Sequence, residues 1–163
     1  MKSFFRKVGF GLKPGEKAPS DPLTWAQKQV ETIPELNWKG KYIFSEKEMR
    51  QHWIKQRVTE ETTFKKKYKN DPEGLRIAEK KLEDDSGKKF WPNNEICMRH
   101  AEAVRSNNPV LAKLWYFWTN HFTISDAQRL PSFSTGAYQR EFIRANMDKT
   151  FETMVYEATV AWP

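Results

Sequence analysis

The sequence predicts an all-α protein, an irregular bundle of about six helices with a loop-rich N-terminal part. Helix-capping residues precede apolar residues spaced three and four apart, and no segment shows the alternation typical of a strand. A sizeable core is expected, since 38% of the 163 residues are hydrophobic and 14% are aromatic. We interpret residues 1–163 as a single all-α region that is basic over residues 1–92 and has an aromatic core over residues 93–163.

The first two capped helices begin at Asp21 and Ser45. Asp21 is a predicted N-cap, and Pro22 follows at the first helical position, where a missing N–H is tolerated. Ser45 and Glu48 fit a capping box, from which a helix is predicted to run to about Lys69. The apolar stripe of this second helix is predicted to be Met49, Trp53, Ile54 and Val58.

A second Asp-Pro pair, Asp71 and Pro72, predicts the next helix. Its inward residues are predicted to be Leu75, Ala78 and Leu82. Residues 84–94, "DDSGKKFWPNN", are predicted to be a linker because glycine, proline and asparagine interrupt any periodic pattern. The helix after the linker, "NEICMRHAEAVRS", is predicted to bury Ile96, Ala101 and Val104, with Cys97 as a small hydrophobic residue.

The segment "NPVLAKLWYFWTNHF" is predicted to be the central helix, with Asn108 as its cap and Pro109 as its first residue. Its apolar face is predicted to comprise Leu111, Leu114, Trp115, Trp118 and Phe122, broadened by Tyr116 and Phe117. A polar loop is predicted over residues 125–135, followed by a last helical region over residues 136–162. The inward residues of that region are predicted to be Tyr138, Ile143, Phe151, Met154 and Val155. Because the apolar pattern runs into the final "TVAWP", we expect an incomplete domain.

Charge and hydropathy limit the function classes. The net charge is +7, and ten basic against four acidic residues lie in residues 39–69. A basic half can bind nucleic acid electrostatically, but "FKKKYK" also suits the solvated C-terminal end of a helix. The mean hydropathy of −0.84 predicts no membrane span. As written, the chain lacks a secretory signal and is predicted to be cytoplasmic, unless an export signal lies on a segment not included here.

Four sequence blocks together resemble one large bacterial family. They are "GFGLKPGE", "WAQKQ", "FWTNHFTIS" and "GAYQREFIR", in that order. They are similar to the domain of unknown function 1800, of which the chain would represent the N-terminal part. Asn146 and Lys149 depart from the family pattern, which has His and Gly before its last matching helix. The resemblance implies a protein that is often exported and has a phosphatase- or sulfatase-like partner.

The candidate catalytic residues are His121, Asn120 and Glu141. His121 is a candidate metal ligand or general base, which Asn120 could orient, and Glu141 or Asp126 could assist it if the last helix packs back. The alternative is that Asn120 and His121 bind the free carbonyl groups at the end of a buried helix. No His-x-x-x-His motif favours a metal, and no cofactor is predicted.

Arg140 and Arg144 lie one helical turn apart and are candidates for binding an anion or a partner. The alternative is a structural role in which they form ion pairs with Glu141 and tie the helix to the preceding loop. The glycines of "GFGLKPG" are predicted to allow a tight turn with positive φ, because the Lys-Ser/Thr step and the preceding strand of a phosphate-binding loop are missing.

The function expected from these observations is a structural or protein-interaction role, with another protein or the rest of the domain as the partner. One alternative is a hydrolase-like or metal-dependent site around His121 that is completed by residues outside this chain. Another is binding of nucleic acid by the basic N-terminal half.

Overall fold

The computed structural model describes residues 2–38, 43–86, 91–125 and 131–161. Within these residues the fold is all-α, as predicted, with no strand and with more helices than the six expected. The helices are α1 (Lys2–Val8), α2 (Pro22–Lys28), α3 (Glu46–Val58), α4 (Lys65–Lys67), α5 (Pro72–Ser86), α6 (Trp91–Arg105), α7 (Pro109–His121), α8 (Pro131–Tyr138) and α9 (Phe151–Val160). A π-helical segment, Thr59–Phe64, joins α3 to α4, and the segments Gln139–Ile143 (π) and Arg144–Asn146 (3₁₀) follow α8. None of the described helices combines the length and the apolar character needed to cross a membrane.

The predicted starts of α2, α3, α5 and α7 are confirmed, although the Asn108 side chain forms no capping hydrogen bond at the start of α7. The Asp21 carboxylate accepts hydrogen bonds from the backbone N–H groups of Leu23 and Thr24. Both bonds of the capping box form between Ser45 and Glu48 at the start of α3. These caps depend on neighbouring residues alone, which explains why local sequence identifies them.

Several predicted boundaries are corrected. α6 begins at Trp91, inside the predicted linker, because the indole is fully buried and anchors the first helical turn. α8 begins at Pro131, inside the predicted loop 125–135. Of that loop, residues 126–130 lie outside the described residues, as do residues 87–90 of the linker.

Within the described residues, two hydrophobic clusters contribute to the core. The first joins α3, α6 and α8 through Met49, Trp91 and Ala137, with Phe44 and Trp53 packed against it. The second surrounds α7 and the segments that follow α8. Its buried members are Trp115, Tyr138, Ile143 and Ala161, and its half-buried aromatic members include Trp38, Trp118, Phe122 and Phe142.

The predicted inward faces are partly wrong. The following residues predicted to be inward are largely exposed: Ile54, Val58, Ile96, Val104, Phe117, Phe151 and Val155. Cys97 is exposed as well, so it does not serve as a buried hydrophobic residue. On α3 and α6 the buried positions include Gln56 and Glu95 instead, and Glu95 faces Arg140, which is distant in sequence. The predictions for Met49, Leu111, Trp115, Tyr138, Ile143 and Met154 are confirmed.

Candidate functional site

The π-helical segment Gln139–Ile143 positions the two charged residues of the "QREFIR" block. Within it the backbone departs from the ordinary α-helical hydrogen-bond pattern, a feature that frequently accompanies functional sites. The buried Trp115 indole donates its Nε1–H to the Gln139 carbonyl at 2.9 Å and fixes the segment against α7. Arg140 and Glu141 therefore project from a backbone that is locked to the aromatic core.

Arg140 forms a nearly buried ion pair with Glu95 of α6. Its Nη2 and Nε lie 2.8 Å and 3.1 Å from the Glu95 Oε1, and Nε also lies 3.0 Å from Oε2. The same Nη2 donates to the Phe44 carbonyl at 2.6 Å. The guanidinium thus links α6 and the segment before α3 to the region after α8.

Glu141 lies at the N-terminal end of α3. Its Oε2 accepts a hydrogen bond from the Glu46 backbone N–H at 3.1 Å, where a carboxylate also complements the helix dipole. Burial raises the pKa of Glu141, an effect that the Glu46 N–H and the Arg140 charge oppose only in part. Its closest cation is Arg140, at 3.4 Å, so the predicted pairing of Glu141 with Arg144 does not form.

Arg144 is buried beside the central helix. Its Nη2 donates to the Pro34 carbonyl at 2.6 Å, and its guanidinium lies 5.6 Å from the centre of the Trp115 ring. Burial lowers the pKa of Arg144, whereas the Glu102 charge acts in the opposite direction. The two arginines therefore bind the backbone carbonyl groups of Phe44 and Pro34, which lie far earlier in the sequence.

Asn120 and His121 are the last two residues of α7, and both are exposed. The His121 ring stacks on Phe117 with ring centroids 6.0 Å apart and meets Trp118 and Phe122 edge-on. Within the described ranges neither side chain forms a hydrogen bond, and none joins His121 to Glu141. The catalytic roles of these three residues stay predictions, and Asp126 lies outside the described residues.

The described part of the chain shows no cluster of metal-ligating side chains around His121. No group of three or more histidine, cysteine, aspartate or glutamate side chains is suitably placed there. The metal-ligand role of His121 stays a prediction.

Next to His121, α9 presents an exposed apolar surface, which we call the α9 face. It consists of Phe151, Val155, Tyr156 and Val160, exposed by 36% to 63%. A groove of 530 Å³ runs along it. The opposite side of α9 carries the buried Met154, and the Tyr138 hydroxyl donates to the Ala158 carbonyl at 3.3 Å. Sequence periodicity missed this face because it placed Phe151 and Val155 inside.

The glycine block at the N-terminus has the predicted backbone conformation. Gly11 and Gly15 have φ values of +94° and +82°. Gly9 has a different role, since a Cβ there would lie 3.1 Å from the Pro109 carbonyl carbon. The loop 9–14, called the motif loop below, is thereby held closely against the start of α7.

Comparisons with known proteins give one match. The family model described as "Protein of unknown function (DUF1800)" matches residues 3–161. The searches of curated proteins and of solved structures find no match. The motif loop, the end of α7 and the Arg140 segment all lie within the matched residues. Because the match covers nearly the whole sequence, the chain belongs to the DUF1800 family of proteins of unknown function.

Proposed function

We propose that the protein is an interaction module that binds an amphipathic, basic helix of another protein on the α9 face. The observation that carries this proposal is the exposure of four large apolar side chains on one helix: Phe151, Val155, Tyr156 and Val160. Contiguous exposed apolar surface of this kind favours association with another protein.

The spacing of these side chains suits a helical partner. Phe151 and Val155 lie four residues apart, and so do Tyr156 and Val160, so the members of each pair lie one helical turn apart. A partner helix laid in a groove is recognised by apolar anchors at such intervals. The groove along α9 offers space for such anchors.

The α9 face packs against aromatic rings at the end of α7. The Phe151 ring lies 5.8 Å from the Trp118 ring and 6.3 Å from the Phe122 ring. Phe117, exposed by 55%, extends the aromatic surface onto α7. A surface that is ordered before binding loses less conformational entropy when a partner binds.

The charges on α9 define the polar side of the partner. Glu152 and Glu157 are its charged residues, and no lysine or arginine lies on it. A partner that carries lysine or arginine beside its apolar stripe would therefore be attracted. An acidic rim also makes this face unfavourable for nucleic acid. The phosphatase- or sulfatase-like partner implied by the family stays a prediction.

The test is site-specific photo-crosslinking in cells of the natural source. A photoreactive phenylalanine analogue replaces Tyr156, and in the matched control it replaces Ile77, which is similarly exposed but lies on α5. We expect one identified protein to crosslink at position 156 and not at position 77. The purified partner should then bind the unmodified chain, and the double variant Tyr156→Ser, Val160→Ser should bind at least about tenfold more weakly.

Two outcomes would overturn the proposal. One is crosslinking at position 156 only to further copies of this chain, which would make the α9 face a self-association surface. The other is the same set of crosslinked proteins at both positions, which would show that the contacts are not specific to α9.

A further inference from the structure

A second cleft lies between the motif loop and helices α6 and α7. It has a volume of 680 Å³ and is lined by Phe10, Leu12, Lys13, His100, Val104 and Tyr116, among others. This volume lies within the range of small-molecule sites, and most of the lining is apolar. The cleft is distinct from the α9 face, with which it shares no lining residue.

Aromatic rings form the walls of the cleft. The Phe10 ring meets the Tyr116 ring edge-on with centroids 5.5 Å apart. The His100 ring lies nearly parallel to Tyr116, with centroids 5.8 Å apart. A planar aromatic ligand can pack against such walls by stacking and edge-on contacts.

A polar pair marks one side of the cleft. The Tyr116 hydroxyl and the His100 Nδ1 lie 2.5 Å apart. When the hydroxyl donates to Nδ1, the imidazole carries its proton on Nε2. No described residue accepts a hydrogen bond from Nε2, so this donor is available to a ligand.

The lining of the cleft carries a positive charge. Lys13 lines it, and the Arg99 guanidinium lies 5.0 Å from the centre of the Tyr116 ring. The described lining residues include no aspartate or glutamate. An anionic ligand is therefore favoured over a cation.

The motif loop is fixed in place before any ligand binds. The backbone N–H groups of Gly9 and Gly11 both donate to the Phe5 carbonyl. The Lys13 ammonium donates to the Arg105 carbonyl at 2.8 Å and to Asn107 Oδ1 at 2.7 Å. These bonds hold the Phe10 ring in its edge-on contact with Tyr116, so the cleft is formed in the free protein.

From these contacts we infer that the cleft under the motif loop binds a small planar aromatic carboxylate. The rings of Phe10 and Tyr116 pack against its apolar part. The His100 Nε2–H and the positive field of Lys13 bind its carboxylate.

The test uses 2-naphthoate as the probe and 2-naphthalenemethanol as its neutral control, titrated into the full chain and followed by two-dimensional NMR. We expect 2-naphthoate to bind saturably, to shift the amide signals of the motif loop and of residues 100–104, and to bind roughly tenfold more tightly than the alcohol. Val104→Trp should block the cleft, because Val104 is 76% exposed and tolerates a larger side chain. Leu23→Trp, at a similarly exposed position on α2, is the matched control and should bind normally.

The His100→Phe variant keeps the aromatic wall and removes the Nε2–H donor. It should lose most of the preference for the carboxylate over the alcohol while its melting temperature stays near that of the unmodified chain. Three results would overturn the inference: no saturable binding of 2-naphthoate, equal affinity for the acid and the alcohol, or signal shifts confined to residues outside the cleft.

Discussion

Glu95 and Arg140, separated by 45 positions in the sequence, form an ion pair with a closest N–O distance of 2.8 Å, and their side chains are only 5% and 14% exposed. This pair connects α6 to the π-helical segment that carries Glu141. At least four hydrogen-bonding contacts of Arg140 are made inside the protein, three of them to Glu95. The pair therefore has a structural role whatever else the segment does.

The first prediction concerns this ion pair. Glu95→Gln removes the closer and more buried of the two carboxylates that pair with Arg140, leaving Glu141 at 3.4 Å, and should lower the free energy of unfolding by up to about 3–5 kcal/mol. Urea denaturation followed by circular dichroism measures the loss. The matched control is Glu73→Gln, which removes the carboxylate of the Glu73–Arg76 pair, whose side chains are 65% and 66% exposed. The control should unfold like the unmodified chain, and an equal loss in both variants would contradict a structural role for Glu95.

The second prediction concerns the pH dependence of Glu141. Burial raises its pKa, so the folded state binds the proton more tightly than the unfolded state. Its contribution to stability is therefore complete below the ordinary value of 4.5 and is lost as the pH rises through the folded-state pKa. Glu141→Gln stays neutral and can still accept the Glu46 N–H. The free energy of unfolding is measured from about pH 3.5 to about pH 7, a range that spans the ordinary pKa values of carboxyl groups. The variant should become more stable relative to the unmodified chain as the pH rises.

Glu48 provides a control because its pKa is shifted in the opposite direction. The Ser45 backbone N–H and hydroxyl hold its pKa below the ordinary value, so its contribution is present above that value and is lost on acidification. Glu48→Gln should therefore lose stability relative to the unmodified chain as the pH rises. The same direction of change in both variants would contradict the pKa shift of Glu141.

A comparison of Glu48 with Glu95 shows which contacts can be predicted from the sequence. The Ser45–Glu48 cap was predictable because the two residues lie three positions apart and satisfy each other's backbone groups. The pairing of Arg140 with Glu95 was not predictable, because nothing near Glu95 in the sequence distinguishes this residue from an exposed helical glutamate. Its burial depends on how α6 packs against α8, where the Glu95 side chain occupies the space beside Gly136.

The faces of the helices were harder to predict than the helices themselves. α3 carries polar residues around its whole circumference, so Ile54 and Val58 do not determine which side turns inward. The π-helical segments add to this difficulty. Each one changes the angular relation between the residues before and after it, and the hydrophobic pattern of the sequence does not mark its position. Glu141 was therefore expected near Arg144, whereas it lies against the start of α3.

The third prediction concerns the close approach at Gly9. A Cβ at this position would lie 3.1–3.2 Å from backbone atoms of Pro109 and Val110, which cannot move aside as a flexible side chain does. Gly9→Ala should therefore destabilise the protein by about 1–3 kcal/mol, measured by urea denaturation. For comparison, Gly15→Asn introduces a side chain that tolerates positive φ at a position with nothing within 4 Å. It should change stability much less, and a larger effect there than at Gly9 would contradict the packing argument.

The last prediction concerns His121 at the exposed end of α7. Its ring contacts Phe117, Trp118 and Phe122 but makes no hydrogen bond within the described residues. His121→Ala should therefore change the free energy of unfolding by less than about 0.5 kcal/mol. Trp118→Ala should cost roughly 2 kcal/mol or more, since this half-buried ring supports Phe122 and Phe151. If His121→Ala proved as damaging to stability as Trp118→Ala, the ring would be part of the core. If it spared stability but abolished a measurable activity of the protein, the histidine would have a chemical role that its packing does not explain.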